Sequence, residues 1–306
     1  MSPTIEDVAR LPVDVLRALL PSWVAGHADL PDTRPLEAAL RARTDAASDA
    51  ELNSLLEAFA AAGEAYRLYP AHPFARDMTR LYMAALTPTW DLVGREPLER
   101  FLATGPRRKM IVCNHLSYTD TQITDSLLVL AGLREVADRL VAIAGPKVYT
   151  DAWRRMAAIS LNTRKTAQSS AVATEQGALS PRELAAVAFE TIADCERLMD
   201  EGYVVLLYPE GTRSRTGRLQ PFLRAAARYC SVPDLQILPL AQSGTDRVYP
   251  IDAAKMYAAH VRMAFGEPFV AADFPGKATA LAEAHRRVAD LLPPDYRPED
   301  GAPAVS

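Results

Sequence analysis

Near residue 90 the chain changes texture, and that change limits the fold more than any other feature of the sequence. Ahead of it, apolar residues recur at helical spacing and no segment alternates like a strand. The clearest stripe is Leu52, Leu55, Leu56, Phe59 and Ala60 within 49–66, and 36–43 and 75–86 read the same way. Pro21, Pro31, Pro35, Pro70 and Pro73 punctuate these helices, and Pro88 closes the region. Beyond it, short runs rich in Val, Ile and Leu alternate with helix-length amphipathic stretches, which is an α/β pattern. Strands are expected at 109–113, 140–144, 203–208, 235–240 and 260–265, and helices at 121–133, 181–200 and 278–292. The helix at 181–200 has Ser180 as N-cap, Pro181 at its first position and Glu183 to complete a capping box. The expected fold is therefore α/β: a mixed, mostly parallel sheet flanked by helices and preceded by a small N-terminal helical bundle. The bundle occupies 1–87, the α/β domain 88–292, and the Pro-rich segment 293–306 reads as a poorly ordered tail.

Composition narrows the function classes. Lys plus Arg is 34 against 38 for Asp plus Glu, a formal net charge of −4, whereas nucleic-acid binders usually carry a basic excess. Cys113, Cys195 and Cys230 have no CxxC spacing, which argues for a reducing compartment and against a disulfide scaffold or a cysteine metal site. Glu6 and Asp7 stand where a secretory signal would be basic and then apolar. No apolar run approaches the length of about 18 residues that a membrane span needs. The sequence thus predicts a cytoplasmic protein, with a peripheral position on the inner membrane face left open.

Two polar clusters stand at the ends of expected strands. Residues 110–120 read Met-Ile-Val-Cys-Asn-His-Leu-Ser-Tyr-Thr-Asp. His115 and Asp120 are five apart, an offset that neither a helix nor a strand brings face to face. They can meet if His115 sits in a strand-to-helix turn and Asp120 in the first turn of the helix, with Asn114 or Ser117 as its cap. An aspartate on one ring nitrogen would fix the tautomer and leave the other nitrogen to take a proton from a hydroxyl. The alternative is a polar turn residue beside a helix-start carboxylate. The second cluster follows the strand at 203–208 and runs Pro209-Glu210-Gly211-Thr212-Arg213-Ser214-Arg215-Thr216-Gly217-Arg218. Its arginines suit a phosphate, or else pair with nearby carboxylates in a solvated loop. A third patch, Asn162-Thr163-Arg164-Lys165-Thr166, adds two cations.

Together these segments resemble the glycerolipid acyltransferase superfamily. Asn114-His115-Leu116-Ser117-x-x-Asp120 is similar to its first block, Tyr208 to Ser214 to its third, and Ile237-Leu238-Pro239-Leu240 to its fourth. The stretch Ala144 to Asp151, continuing to Arg164-Lys165, resembles the second block of soluble plastid glycerol-3-phosphate acyltransferases, which also carry an N-terminal helical bundle. Thr166 stands where those enzymes have a histidine.

The resemblance implies acyl transfer from a thioester of coenzyme A or acyl carrier protein to the hydroxyl of glycerol-3-phosphate. It implies His115 as general base, Asp120 as its support, and no acyl-enzyme, cofactor or metal. It places Arg164, Lys165, Arg213 and Arg215 on the acceptor phosphate, and Glu210, Gly211 and Thr212 in the binding loop, with backbone N–H groups near Gly211 for the oxyanion. Arg107, Arg108, Lys109, Arg154 and Arg155 are candidate docking cations for an acidic carrier protein. Lysophosphatidate, or another lipid or natural-product acceptor, is the alternative within the enzyme class. A thioester hydrolase and a non-catalytic lipid-binding module are further alternatives.

Overall fold

A computed structural model describes residues 4–103, 105–106, 108–167 and 179–306. The N-terminal part contains α1 (Ile5–Ala9), α2 (Val13–Ala25), α3 (Arg34–Asp45), α4 (Asp49–Ala61) and α5 (Pro73–Leu86). Pro21 lies inside α2 rather than ending a helix as expected. Two short strands, β1 (Ala28–Asp29) and β2 (Leu68–Tyr69), interrupt a region that the sequence reads as wholly helical. At two residues each, they are too short for any alternation to show in the sequence.

The α/β part runs β3 (Trp90–Val93), α6 (Arg95–Ala103), β4 (Arg108–Cys113), α7 (Asp120–Leu130), α8 (Arg134–Asp138) and β5 (Leu140–Ala144). It continues through α9 (Ala152–Ile159), β6 (Asn162–Lys165), α10 (Pro181–Asp200), β7 (Val204–Leu207) and β8 (Leu235–Ser243). Last come α11 (Thr245–Val248), β9 (Met256–Tyr257), β10 (Val261–Phe265), β11 (Phe269–Val270) and α12 (Lys277–Leu291). The five expected strands are present, and α10 begins on the expected capping box at Ser180 and Glu183.

The main sheet is ordered β2-β6-β5-β7-β4-β8-β10-β3, with β11 on β8. Strands β6, β5, β7, β4 and β8 are mutually parallel; β2 pairs antiparallel with β6, β11 antiparallel with β8, and β10 antiparallel with β8 but parallel with β3. Alternation along the central strands sends side chains to two covered faces. Ile111, Cys113, Leu206 and Leu238 join a core shared with the N-terminal helices. Met110, Val112, Val205 and Ile237 join a second core beneath α12. The texture change near residue 87 therefore marks a change of secondary structure with no break in the apolar core, which runs from Val8 through Phe74 to Phe265. Arg80 on α5 adds an ionic tie, donating to both carboxylate oxygens of Asp125 on α7 at 2.6 and 3.0 Å.

The segment 293–306, read from its prolines as a loose tail, is bound along the molecule. Tyr296 is buried and donates to Asp246, Phe222 N–H donates to the Ala304 carbonyl, and Ser306 N–H donates back to the Phe222 carbonyl.

Candidate active site

Strands β4 and β7 are adjacent and parallel, with Val112 opposite Leu207, so the loops leaving their carboxyl ends emerge side by side. Open α/β sheets present ligands at that edge. Blocks distant in sequence thus share one site. His115 occupies the turn between β4 and α7, and Asp120 is the first residue of α7. His115 Nδ1 lies 2.8 Å from Asp120 Oδ2. The same oxygen accepts from the backbone N–H groups of Leu116 at 2.7 Å and Ser117 at 3.0 Å, so the carboxylate folds the turn as well as holding the ring.

Asp120 is 1% exposed and His115 18%. Bound to Nδ1, the carboxylate selects the tautomer with the proton there, which leaves Nε2 as a lone pair with no partner among the described residues. The Tyr208 ring packs against the imidazole with centroids 4.6 Å apart, and its hydroxyl bonds Thr121 Oγ1 at 3.0 Å.

Neither Asn114 nor Ser117 caps α7. The N-cap is Thr119, and its side chain makes no capping bond. Asn114 instead clamps the backbone of Gln242 on β8, accepting from its N–H at 2.8 Å and donating to its carbonyl at 3.0 Å. Gln242 Nε2 in turn donates to the Asp120 carbonyl at 3.3 Å.

The loop after β7 is stitched to His115 from both sides. Glu210 Oε1 accepts from His115 N–H at 2.6 Å, and Ser214 N–H donates to the His115 carbonyl at 2.7 Å. The other Glu210 oxygen accepts from Gln220 N–H at 3.0 Å. Burial pushes the Glu210 carboxyl up to about 8, against the pull of these two N–H donors. Glu210 is therefore a brace between the two loops. Gly211 has φ +70°, and a Cβ there would come 2.3 Å from Leu223 Cδ1, so glycine is required. Its N–H donates to the Tyr208 carbonyl at 3.1 Å. Thr212 and Arg215 are exposed on the same loop, and the Arg213 guanidinium lies over the Tyr118 ring.

Residues 93–243, just under half of the chain, match the family model described as acyltransferase. That match supports the resemblance of this chain to the glycerolipid acyltransferase superfamily. A chloroplastic 1-acyl-sn-glycerol-3-phosphate acyltransferase of Brassica napus is 36% identical over 56 residues, which is 18% of this chain and 16% of that protein. The solved structure of a 1-acyl-sn-glycerophosphate acyltransferase from Thermotoga maritima superposes with a TM-score of 0.47 at 15% identity, over 91% of this chain and 94% of that one.

Not every residue expected in the acyltransferase site lies there. Arg164 and Lys165 stand on β6, three strands away from β4, at a spacing of about 5 Å per strand. Arg164 is 1% exposed, donates to Asp194 at 2.7 Å and also bonds the Lys165 carbonyl. Lys165 donates to the Gly63 carbonyl and lies over the Tyr66 ring at 4.6 Å. Both cations are consumed by the fold because β6 is a buried strand whose charges must be neutralised internally. The apolar stretch 156–161 ahead of it lies mostly within α9.

The expected carrier-protein cations are dispersed as well. Arg108 pairs with Glu196 and Asp200, Lys109 donates to Leu102, and Arg155 donates to the carbonyls of Tyr149 and Ala60. Arg107 lies outside the described residues. Sequence reading missed Tyr118, Tyr208 and Gln242, and placed Arg154 elsewhere. For Tyr118 and Tyr208 the available signal was position, since each lies within a block at a strand end.

An apolar cavity of about 50 Å³ opens between the N-terminal helices, α9 and the start of α7. Phe74, Met78, Tyr82, Trp153, Thr119 and Gln122 are among its walls. Thr119 brings this cavity to within one residue of Asp120. Among the described residues, no cluster could hold a metal ion and no helix is long and apolar enough to cross a membrane.

Proposed function

We propose that this chain transfers a fatty acyl group from an acyl thioester to a hydroxyl of a phosphorylated glycerol acceptor. The observation that carries this reading is the His115 ring, tied to Asp120 through Nδ1 with Nε2 unpartnered, stitched to a loop that brings Arg213 beside it. Nε2 takes the hydroxyl proton as the oxygen attacks the thioester carbonyl carbon. The tetrahedral intermediate collapses with cleavage of the C–S bond, and the imidazolium returns the proton to the departing thiolate. Asp120 holds the ring and stabilises its charged form, as the carboxylate does in a serine-protease triad. The apolar cavity beside Thr119 lies where the first methylenes of an acyl chain would enter.

Lysophosphatidate is the favoured acceptor, with glycerol-3-phosphate second. The Brassica relative is described as acting on 1-acyl-sn-glycerol-3-phosphate. The plastid-type resemblance rested in part on Arg164 and Lys165 as phosphate ligands, and both bind protein partners here.

The test is to incubate the purified chain with labelled palmitoyl-CoA, or palmitoyl-acyl carrier protein, together with lysophosphatidate, glycerol-3-phosphate or no acceptor. Label in phosphatidate is expected from the first arm. Label released as free fatty acid at the same rate in all three arms would make the protein a thioester hydrolase. Thioester binding without turnover would make it a lipid-binding module.

A further inference from the structure

Helix α7 carries one half of the dyad, because Asp120 is its first residue, while His115 is stitched to the loop after β7. The 2.8 Å contact between them therefore holds only if α7 starts at the right place and turn. No side-chain cap sets that start, since Thr119 makes no capping bond. Ile123, Leu127 and Leu128 bury the inner face of the helix, but apolar contact is non-directional and tolerates small slides and rotations.

Two polar attachments do have direction. At the first turn, Gln242 of β8 donates to the Asp120 carbonyl and to Thr124. Asp125 lies about 7.5 Å further along the axis, and both its oxygens accept from Arg80 of α5. Arg80 also donates to Asp138, the last residue of α8, at 2.7 Å. The Asp125 side chain is 2% exposed and that of Arg80 10%. Arg76, one turn earlier on α5, stands 3.7 Å from Asp125 and 3.5 Å from Asp138, and its Nη2 is buried with no hydrogen-bond partner among the described residues. Residues that only had to fill this space would be apolar, since a well-packed apolar pair is often as stable as a buried ion pair. A bidentate guanidinium–carboxylate pair adds orientation. A rod held at two points keeps both its position and its rotation.

We propose that Arg80 and Asp125 are positioning residues for the His115–Asp120 dyad, so that α5 and the N-terminal helices behind it hold the carboxylate in register with the ring. This rests on the acyl-transfer reading for its effect on turnover, while the register itself is measurable without substrate.

The test replaces the pair in the full chain by two apolar residues, Arg80→Met together with Asp125→Leu, which leaves Arg76 and Asp138 paired with each other. The double variant is expected to keep a urea midpoint near that of the parent, because no buried charge is stranded. Its kcat should fall about tenfold, with KM for thioester and acceptor within about twofold. In proton NMR the His115 Nδ1 proton held by Asp120, identified as the low-field signal that His115→Ala abolishes, should move upfield. Arg80→Lys keeps the charge but not the fork, so it should fall between parent and double variant, and it is read in the same way should the double variant fold poorly. Arg286→Ala, a remote surface change, should match the parent in every readout. A folded double variant with parental kcat or an unmoved Nδ1 signal refutes the positioning role, as does a loss of kcat that only follows a fall in the urea midpoint. A displaced Nδ1 signal in a chain that acylates no acceptor would uphold the register and refute acyl transfer.

Discussion

Two pairs of cations, one on β6 and one around Tyr118, have opposite fates in this molecule. Arg164 and Lys165 belong to a strand that is buried along its whole length, and each has been given protein partners in Asp194 and Gly63. Arg213 and Arg154 belong to segments at the carboxyl edge of the sheet, and each retains donors that no described residue uses. A charge inside the layers must be neutralised by the fold, because an unpaired one would cost several kcal/mol. A charge carried beyond the strands, on a loop or helix at the edge of the sheet, keeps access to water and can await a ligand. The difference teaches that arginine and lysine in a motif declare an anion site only once their layer in the fold is known.

That contrast can be broken at either end. The largest effect is expected at the dyad: His115→Ala should lower kcat by about a hundredfold to ten-thousandfold with Tm within a few degrees of the parent. A folded variant with parental turnover would remove the imidazole from the chemistry.

Arg164→Ala should do the reverse, costing about 2–3 kcal/mol in urea unfolding by removing the buried partner of Asp194 and opening a buried space, with KM unchanged in the folded fraction. A loss of acceptor affinity without loss of stability would return Arg164 to the site.

Arg213→Ala should raise the acceptor KM about tenfold while moving the urea midpoint little, since the change strands no ion-pair partner. An unchanged KM there, with stability lost instead, would erase the contrast.

The smallest effect concerns Glu210, whose carboxyl burial pushes up to about 8 from an ordinary 4.5. The folded state then holds this proton more tightly than the unfolded chain. Its contribution is full below about pH 4.5 and is lost as pH rises through about 8. Glu210→Gln removes that titration, so the stability gap between parent and variant should narrow as pH rises from about 5 to about 8. A gap that widens over this range would show that the ionised carboxylate is the form the two N–H donors stabilise.

Much of this architecture was legible in the chain because periodicity reports burial. The five expected strands are present, and Ser180, Pro181 and Glu183 marked the start of α10 to the residue. The His115–Asp120 contact was legible because only a strand-to-helix turn closes a five-residue offset. The strand β6 was not legible: its sequence, Asn-Thr-Arg-Lys, is polar, and its burial depends on partners from α10 and the loop at Gly63. Gln242 was equally hidden, since nothing local signals a side chain reaching from β8 to the carbonyl of Asp120. Tertiary partners decide such residues, and their own neighbours in sequence do not name them.

The bound C-terminal segment has a practical corollary. From Ser306 a relay of backbone contacts passes through Phe222 and Leu223 to Pro209, beside Glu210, whose carboxylate holds the amide of His115. Ser306 is exposed, so a purification tag fused behind it would extend outward from the first link of that relay. Assays run with and without such a fusion would show whether disturbing that link reaches the imidazole.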